Sequence, residues 1–268
     1  MTATTDPATR SGATQGDLWS EHVDAWVEGM ERYMQPTFAA GLDALGVAAG
    51  TRLLDVGCGA GLALSLAAER GAEVTGLDAA PAMVAHARRR IPGAGIEQGD
   101  LEDLPFADAG FDVVTGFNSF QYAATPAAAL TEARRVLRPG GRLLAAVWSP
   151  PEMCGLAGYL KAVGSHLPAP PPGAPGPFAL SADGALAGLL ASAGLQPETT
   201  ADVVSTFTWA DDAEATRAML SAGPAVRATR AAGDAAVAAS VLAAIAPYRT
   251  ATGGYVIDNA FRFTIATR

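Results

Sequence analysis

The residues best suited to chemistry lie in the segment RLLDVGCGAGLALSLAAERGAEVTGLD, which runs from Arg52 to Asp78. An acid ends an apolar run there, and the pattern D-x-G-x-G-x-G follows from Asp55 to Gly61. Glycine lets the backbone approach a ligand closely, and the N–H groups at the start of a helix face such a ligand. The spacing predicts a turn that binds a nucleotide-like cofactor, between a strand and a helix that begins near Leu62.

Two better-known nucleotide motifs do not fit this spacing. The dinucleotide fingerprint G-x-G-x-x-G needs glycine at its sixth position, where the chain has Leu62 counting from Gly57 and Leu64 counting from Gly59. A phosphate-binding P-loop needs Gly-Lys-Ser or Gly-Lys-Thr, and neither follows. The pattern therefore disfavours a nicotinamide oxidoreductase, and an ordinary strand-to-helix turn stays open as the plainest alternative.

Two more carboxylates stand at the ends of strand-like runs. Asp78 closes EVTGLD, and Asp100 follows Gly99 after the next such run. A carboxylate at the end of the second strand can accept hydrogen bonds from both hydroxyls of a ribose. The alternative role of Asp78 is to cap the helix that begins near Pro81, and both roles are compatible.

The elements that must position these residues alternate along the chain. Five strand-like runs, TRLLDV, AEVTGLD, GIEQGD, FDVVTGF and GRLLAAVW, are separated by helical segments. Parallel neighbours need long crossover connections, so this alternation predicts an α/β fold with a parallel sheet. Two later segments, VVSTFTWA and YVIDNAFRFTIATR, are rich in strand-forming residues and are predicted to join the same sheet.

Together, these features resemble the class I S-adenosylmethionine-dependent methyltransferases, including their ubiquinone-pathway relatives. The resemblance rests on the D-x-G-x-G-x-G pattern, on Asp78, on Gly99-Asp100 and on the segments LEDLPFADAGFDVV and EARRVLRPGGRLLAAVW. It is strong over residues 50–148 and holds only in outline elsewhere. It implies a Rossmann-like sheet of seven strands in the order 3-2-1-4-5-7-6, with the last strand antiparallel.

The resemblance also implies S-adenosyl-L-methionine as the cofactor and S-adenosyl-L-homocysteine as its product. An acid near the glycines would hold the ammonium, Asp78 the ribose and Asp100 the adenine amine, with Leu101 on the ring. The predicted cofactor contacts are Asp55, Gly57, Cys58, Gly59, Gly61, Asp78, Ala79, Met83, Gly99, Asp100, Leu101, Phe117, Asn118 and Tyr33. The predicted substrate contacts are Trp26, Gln121, Tyr122 and Trp148.

The expected reaction is an in-line methyl displacement, which needs a base only for a weakly acidic acceptor. His22 and His166 are the candidate catalytic residues, each with a surface position as its alternative. The segment after the fourth strand lacks the motifs of the protein-arginine and DNA-methylating branches, which favours O-, N- or C-methylation of a small, fairly apolar molecule. The alternative is a protein of the same fold that binds the cofactor but catalyses another reaction, such as cyclisation, or only binds it.

The sequence also predicts how the chain is divided into a tail, a helical cap and a domain. A chain of 268 residues with 50% hydrophobic residues suits one large core. We predict a disordered tail at 1–16, an N-terminal helical cap at 17–46, and a methyltransferase domain at 47–268 with substrate-covering insertions at 149–180 and 211–252. Asp17 to Gln35 reads as one amphipathic helix that Pro36 interrupts.

Composition excludes several partners. The net charge of −9 and a single lysine, Lys161, argue against a nucleic-acid binder, which needs clustered cations. The arginines at 88–90 read as a solvated helix end. No apolar run reaches the roughly 20 residues that span a bilayer, and the two cysteines lack zinc-site spacing, so we expect a cytoplasmic protein without membrane or metal.

Overall fold

The strands form a single sheet, as the sequence predicts. The computed structural model describes residues 10–169 and 176–268. Its strands are β1 (Arg52–Val56), β2 (Glu73–Asp78), β3 (Gly95–Gln98), β4 (Phe111–Phe117), β5 (Leu137–Trp148), β6 (Gln196–Trp209) and β7 (Tyr255–Thr267). Their order is β3-β2-β1-β4-β5-β7-β6, and β7 runs antiparallel to both of its neighbours. The predicted fold class, strand order and antiparallel last strand are confirmed.

Helices cover both faces of this sheet. They are α1 (Gly12–Trp19), α2 (Val23–Gly29), α3 (Gln35–Ala44), α4 (Leu62–Glu69), α5 (Pro81–Arg90), α6 (Pro126–Val136), α7 (Ala157–Gly164), α8 (Ala185–Ser192), α9 (Asp212–Met219), α10 (Gly223–Ala232) and α11 (Asp234–Ile245). Short 3₁₀ turns lie at Glu31–Met34, Phe120–Tyr122, Pro151–Met153 and Ala246–Tyr248. The segment 211–252 is helical, as predicted.

The burial of both sheet faces explains why the site must lie at the ends of the strands. Successive side chains of a strand point to opposite faces. Leu53 of β1 packs in one buried cluster with residues of α3 and α4, whereas Leu54 packs in a second cluster with residues of α6 and α8. Both faces are thus filled by side chains, and a ligand can reach the sheet only at the ends of its strands.

The N-terminal segment differs from its prediction in two ways. Helix α1 begins at Gly12, so the predicted tail at 1–16 is wrong for residues 12–16; residues 1–9 lie outside the described part of the chain. The single helix predicted from Asp17 to Gln35 is instead α1, α2 and a 3₁₀ turn, because the backbone leaves the helical region at His22 and Met30.

The break at the end of α2 lies at a close contact with a distant helix. A Cβ on Gly29 would lie 2.4 Å from the Ala218 Cβ, so the end of α2 is pressed directly against α9. Pro36 lies in the first turn of α3 and begins that helix rather than interrupting one, because a first-turn residue needs no N–H partner. We call α1, α2, Glu31–Met34 and α3 the N-terminal cap.

The other covering segment is only partly described. Residues 149–169 contribute the turn Pro151–Met153 and α7, while 170–175 of the predicted proline-rich loop lie outside the described residues. Across 10–169 and 176–268, no helix is long and apolar enough to cross a membrane.

Candidate cofactor and acceptor site

A cavity lies at the carboxyl ends of the strands, beneath the N-terminal cap. Sheet loops, the cap, α7 and the helical insertion all contribute to its wall. Its lining residues are Ser11, Gly12, Gln15, Trp19, Trp26, Met30, Met34, Phe38, Gly57, Gly59, Leu77, Asp78, Ala79, Met83, Gly99, Leu101, Phe117, Asn118, Ser119, Tyr122, Trp148, Tyr159, Leu160, Phe207, Ala222 and Pro224.

The glycine loop forms one part of this wall. Gly57, Gly59 and Gly61 all have positive φ angles, of 78°, 54° and 89°. A Cβ on Gly57 would lie 2.4 Å from the Cβ of Ser119, whereas one on Gly59 would meet no atom within 4 Å. The loop therefore needs glycine for its conformation, and Gly59 leaves open space on the cavity side. Helix α4 begins at Leu62, as the spacing predicts.

Asp78 joins the loop to the end of β2. Its Oδ2 accepts a hydrogen bond of 2.8 Å from the Gly59 amide, and its Oδ1 accepts one of 2.8 Å from the Ala80 amide. Burial raises the pKa of this carboxyl, and the backbone amides oppose the rise. The N-cap residue of α5 is Ala80, and no side chain caps this helix. The alternative that Asp78 is the N-cap residue is therefore wrong.

Asp100 lies just behind the wall, between the lining residues Gly99 and Leu101. Its Oδ2 accepts a hydrogen bond of 2.9 Å from the amide of Gly12, at the start of α1, and its Oδ1 accepts one of 2.8 Å from the Glu102 amide. The predicted adenine-binding acid thus also holds the first turn of the N-terminal cap.

Two polar atoms in the wall have no partner. The Oδ1 of Asn118 and the Oγ of Ser119 are buried and accept or donate no hydrogen bond. Buried polar groups are normally paired, so these two atoms are free to bond a group that enters the cavity. A carbonyl oxygen and a hydroxyl can both accept from an ammonium. The residues present therefore fit the S-adenosylmethionine that the resemblance implies.

Asp55 is placed differently from the other predicted contacts. Its carboxylate is buried between β1 and β4, outside the cavity wall, and accepts a 2.8 Å hydrogen bond from the Thr115 hydroxyl. Burial raises its pKa to about 7, although Thr115 opposes the rise; the neighbouring Asp78 adds to it. Asp55 thus supports the loop from the sheet.

This raised pKa predicts a pH-dependent stability. Folding favours protonated Asp55, so its contribution to the free energy of unfolding is complete below the unfolded pKa of about 4 and is lost as the pH rises through the folded value. We expect the Tm of the cofactor-free protein to fall from about pH 5 to about pH 8, and Asp55→Asn to remove much of that fall. Thermal unfolding followed by circular dichroism checks this; equal falls in both proteins would contradict it.

The remaining wall is aromatic and apolar. The predicted substrate contacts Trp26, Tyr122 and Trp148 lie in it, and so does Trp19, which was not among the predicted contacts. The Trp19 ring meets those of Trp26 and Tyr122 edge-on, with centroids 4.9 and 5.7 Å apart. In the continuous helix predicted from Asp17 to Gln35, the spacing of seven residues would place Trp19 and Trp26 on one face, and that signal could have found Trp19.

Several predicted site residues do not reach the cavity. The Tyr33 hydroxyl donates to the Thr208 carbonyl, and its ring packs on Phe207, so Tyr33 stands one layer outside the wall. His22 is an exposed residue beside Glu21, and the His166 ring hydrogen-bonds Ser240 at 2.8 Å. Cys58, Gly61 and Gln121 are also absent from the wall. Within the described ranges, no three His, Cys, Asp or Glu residues are grouped as metal ligands.

Known proteins share this domain. The family described as a methyltransferase domain matches residues 54–145. A demethylmenaquinone methyltransferase of Beutenbergia cavernae is 41% identical over 123 residues, 46% of this chain and 50% of that protein. A Mycolicibacterium smegmatis protein described as a candidate S-adenosylmethionine-dependent methyltransferase is 43% identical over 96 residues, 36% of this chain and 37% of that protein. The chain thus spans half or less of the length of these curated relatives.

The fold is shared over a longer stretch. The crystal structure of a Bacillus halodurans protein, described as a candidate methyltransferase, superimposes with a TM-score of 0.58 and 19% identity, covering 86% of this chain and 97% of that one. Family and fold imply S-adenosylmethionine as the cofactor. These findings identify residues 54–145 as a methyltransferase domain within a chain that has the class I S-adenosylmethionine-dependent methyltransferase fold.

Proposed function

We propose that this protein transfers a methyl group from S-adenosylmethionine to a small, fairly apolar acceptor. The observation that carries the proposal is the composition of one continuous cavity wall. It joins the glycine loop, Asp78 and the unpartnered Asn118 and Ser119 atoms to a wall of aromatic and aliphatic side chains. The polar part suits the cofactor, and the apolar part suits the acceptor.

The chain's own residues would position the reactants and exclude water. The bound cofactor supplies an electrophilic methyl group. Asp78 and the glycine loop would hold its nucleoside part, while Asn118 and Ser119 would accept hydrogen bonds from its ammonium. Trp19, from the cap, closes the cavity against Tyr122. A fixed geometry in a dry cavity is what an in-line displacement requires.

The wall offers no evident general base at its apolar part. In the described residues, its titratable side chains are Asp78, Tyr122 and Tyr159. Asp78 is held at the glycine loop, burial raises the pKa of Tyr122 to about 12, and the Tyr159 hydroxyl donates to the Met219 carbonyl at 2.8 Å. The proposed acceptor therefore carries an atom that is nucleophilic without help, such as an acidic phenol, an enol or the ring of a quinol.

The relative from Beutenbergia cavernae supports a quinol-like acceptor, since its name specifies demethylmenaquinone. The deciding experiment incubates the purified protein with methyl-labelled cofactor and a panel of phenols, quinols, enols and amines. Transfer of label to an acidic phenol, an enol or a quinol supports the proposal. Tight cofactor binding without transfer to any acceptor would favour the alternative, a cofactor-binding protein with a non-methylating reaction.

The start of α4 also bears on the hypothesis of a nicotinamide oxidoreductase. In a dinucleotide site the diphosphate sits at the start of the helix after the first strand. Here the amide of Leu62, the first residue of α4, donates to the Glu31 carboxylate at 3.3 Å. A diphosphate placed there would meet a buried carboxylate, which, like the glycine spacing, disfavours a nicotinamide cofactor.

Asp78→Ala is expected to weaken binding of S-adenosylhomocysteine by about 1.5 to 3 kcal/mol, the range for hydrogen bonds to a charged group. The ribose would lose its acceptor, and the Gly59 amide would lose its anchor. Calorimetry measures the affinity, with Asp108→Ala as control because Asp108 is an exposed acid paired with Arg135. Lower stability with unchanged affinity would show that Asp78 is only structural.

A further inference from the structure

The end of α5 is only in part the solvated arginine cluster that the sequence suggests: Arg88 and Arg89 are exposed, whereas Arg90 is half-buried. Arg90 reaches back to the glycine loop, where its Nη1 donates to the Ala60 carbonyl at 2.8 Å and to the Glu31 Oε2 at 2.7 Å. The Arg88 guanidinium binds the Ile96 carbonyl. Arg90 therefore ties the end of α5 to the glycine loop.

Glu31 is the second half of this arrangement. Its side chain is only 5% exposed, and besides Arg90 it accepts the Leu62 amide. Burial raises the pKa of this carboxyl, and the Arg90 guanidinium opposes the rise. A buried carboxylate is costly unless it is paired, and here each of its oxygens has a partner.

These contacts bracket the last glycine of the loop. Ala60 and Leu62 flank Gly61. Gly61 packs closely against α5, since an added Cβ would lie 3.1 Å from the Ala87 Cβ. Before Gly61, the Ala60 carbonyl accepts from Arg90; after it, the Leu62 amide donates to Glu31. The opposite part of the loop, Gly57 and Gly59, lines the cavity.

We infer that Glu31 and Arg90 are positioning residues for the cofactor: they clamp the glycine loop from behind and make its binding shape depend on the N-terminal cap. The inference rests on the proposed cofactor site. Neither side chain lines the cavity, so both act through the backbone of residues 60 and 62. Hydrogen bonds to a charged group are strong enough for their loss to shift this backbone.

The chain contains a control that makes the same two types of bond, although its partner Asp43 is exposed where Glu31 is buried. Arg70, at the end of α4, donates to the Asp43 carboxylate at 2.7 Å and to the Leu66 carbonyl at 2.9 Å. Its side chain is 25% exposed, against 20% for Arg90. It makes the same kinds of bond between cap and domain, but it lies at the far end of α4 from the glycine loop.

The test compares Glu31→Gln, Arg90→Gln, their double variant and Arg70→Gln, using calorimetry with S-adenosylhomocysteine and thermal unfolding by circular dichroism. We expect each clamp variant to bind about tenfold more weakly while folded, from the loss of a charged hydrogen bond. The double variant should bind little more weakly than the weaker single one, because the pair acts as a unit. Arg70→Gln should bind as the unaltered protein does.

Other results would overturn the inference in distinguishable ways. If the unaltered protein does not bind S-adenosylhomocysteine, the cofactor site itself is wrong and the clamp falls with it. If that protein binds, but folded Glu31→Gln binds equally well, only the clamp is wrong. Equal weakening by Arg70→Gln would reduce the effect to general stability. Should Arg90→Gln fail to fold, Glu31→Gln, which keeps side-chain shape, decides.

Discussion

Gly59→Trp is expected to abolish binding of S-adenosylhomocysteine while the protein stays folded. Gly59 lines the cavity, and an added Cβ there would meet no atom within 4 Å, so a side chain can leave the backbone without a clash. The same indole would occupy the space next to Asp78 that the nucleoside needs. Calorimetry should then show no measurable heat of binding.

Backbone strain alone should not unfold this variant. The φ angle of Gly59 is 54°, and a non-glycine residue in that region costs roughly 1 to 2 kcal/mol, against a typical domain stability of about 5 to 15 kcal/mol. Gly46→Trp is the matched control, because Gly46 is exposed, has a φ of 68° and also has open space around its Cβ position. Gly59→Trp that binds as tightly as Gly46→Trp would remove the cofactor from this loop.

The sheet was predictable because its signals are local. Strands β1, β2 and β4 each contain a short apolar run bounded by glycine, proline or a helix-period segment, and such patterns are visible within about ten residues. The turn between β1 and α4 was also predictable, because its unusual backbone conformation requires glycines that are visible in the local sequence. Strand order did not follow from these patterns; it came from the resemblance, which covers residues 50–148.

The misplaced residues depend on distant partners. Tyr33 hydrogen-bonds Thr208 outside the site, and Arg90 hydrogen-bonds the buried Glu31. Neither partner is identifiable from the residues around it, because tertiary packing between segments far apart in the chain decides which side of a helix faces inward. The N-terminal cap was broken by the same cause, since Gly29 ends α2 where α9 presses on it.

Helix α1 provides the sharpest test of whether the N-terminal cap belongs to the site. Gly16 lies on the face of α1 that meets the end of β2, where an added Cβ would be 2.4 Å from the Ala79 carbonyl oxygen. Backbone atoms cannot give way as a flexible side chain can. Gly16→Leu should therefore push α1 outward, taking Gly12 from Asp100 and Trp19 from the cavity.

We expect Gly16→Leu to bind S-adenosylhomocysteine about tenfold more weakly, because the cavity would open to water and its charged and apolar contacts would be lost together. Gly188→Leu is the control: it places the same change inside α8, another eight-residue helix, at an exposed glycine with nothing within 4 Å of its Cβ position. Circular dichroism should show both variants folded, and calorimetry should separate them. Equal affinities would show that α1 packs beside the site without helping to form it.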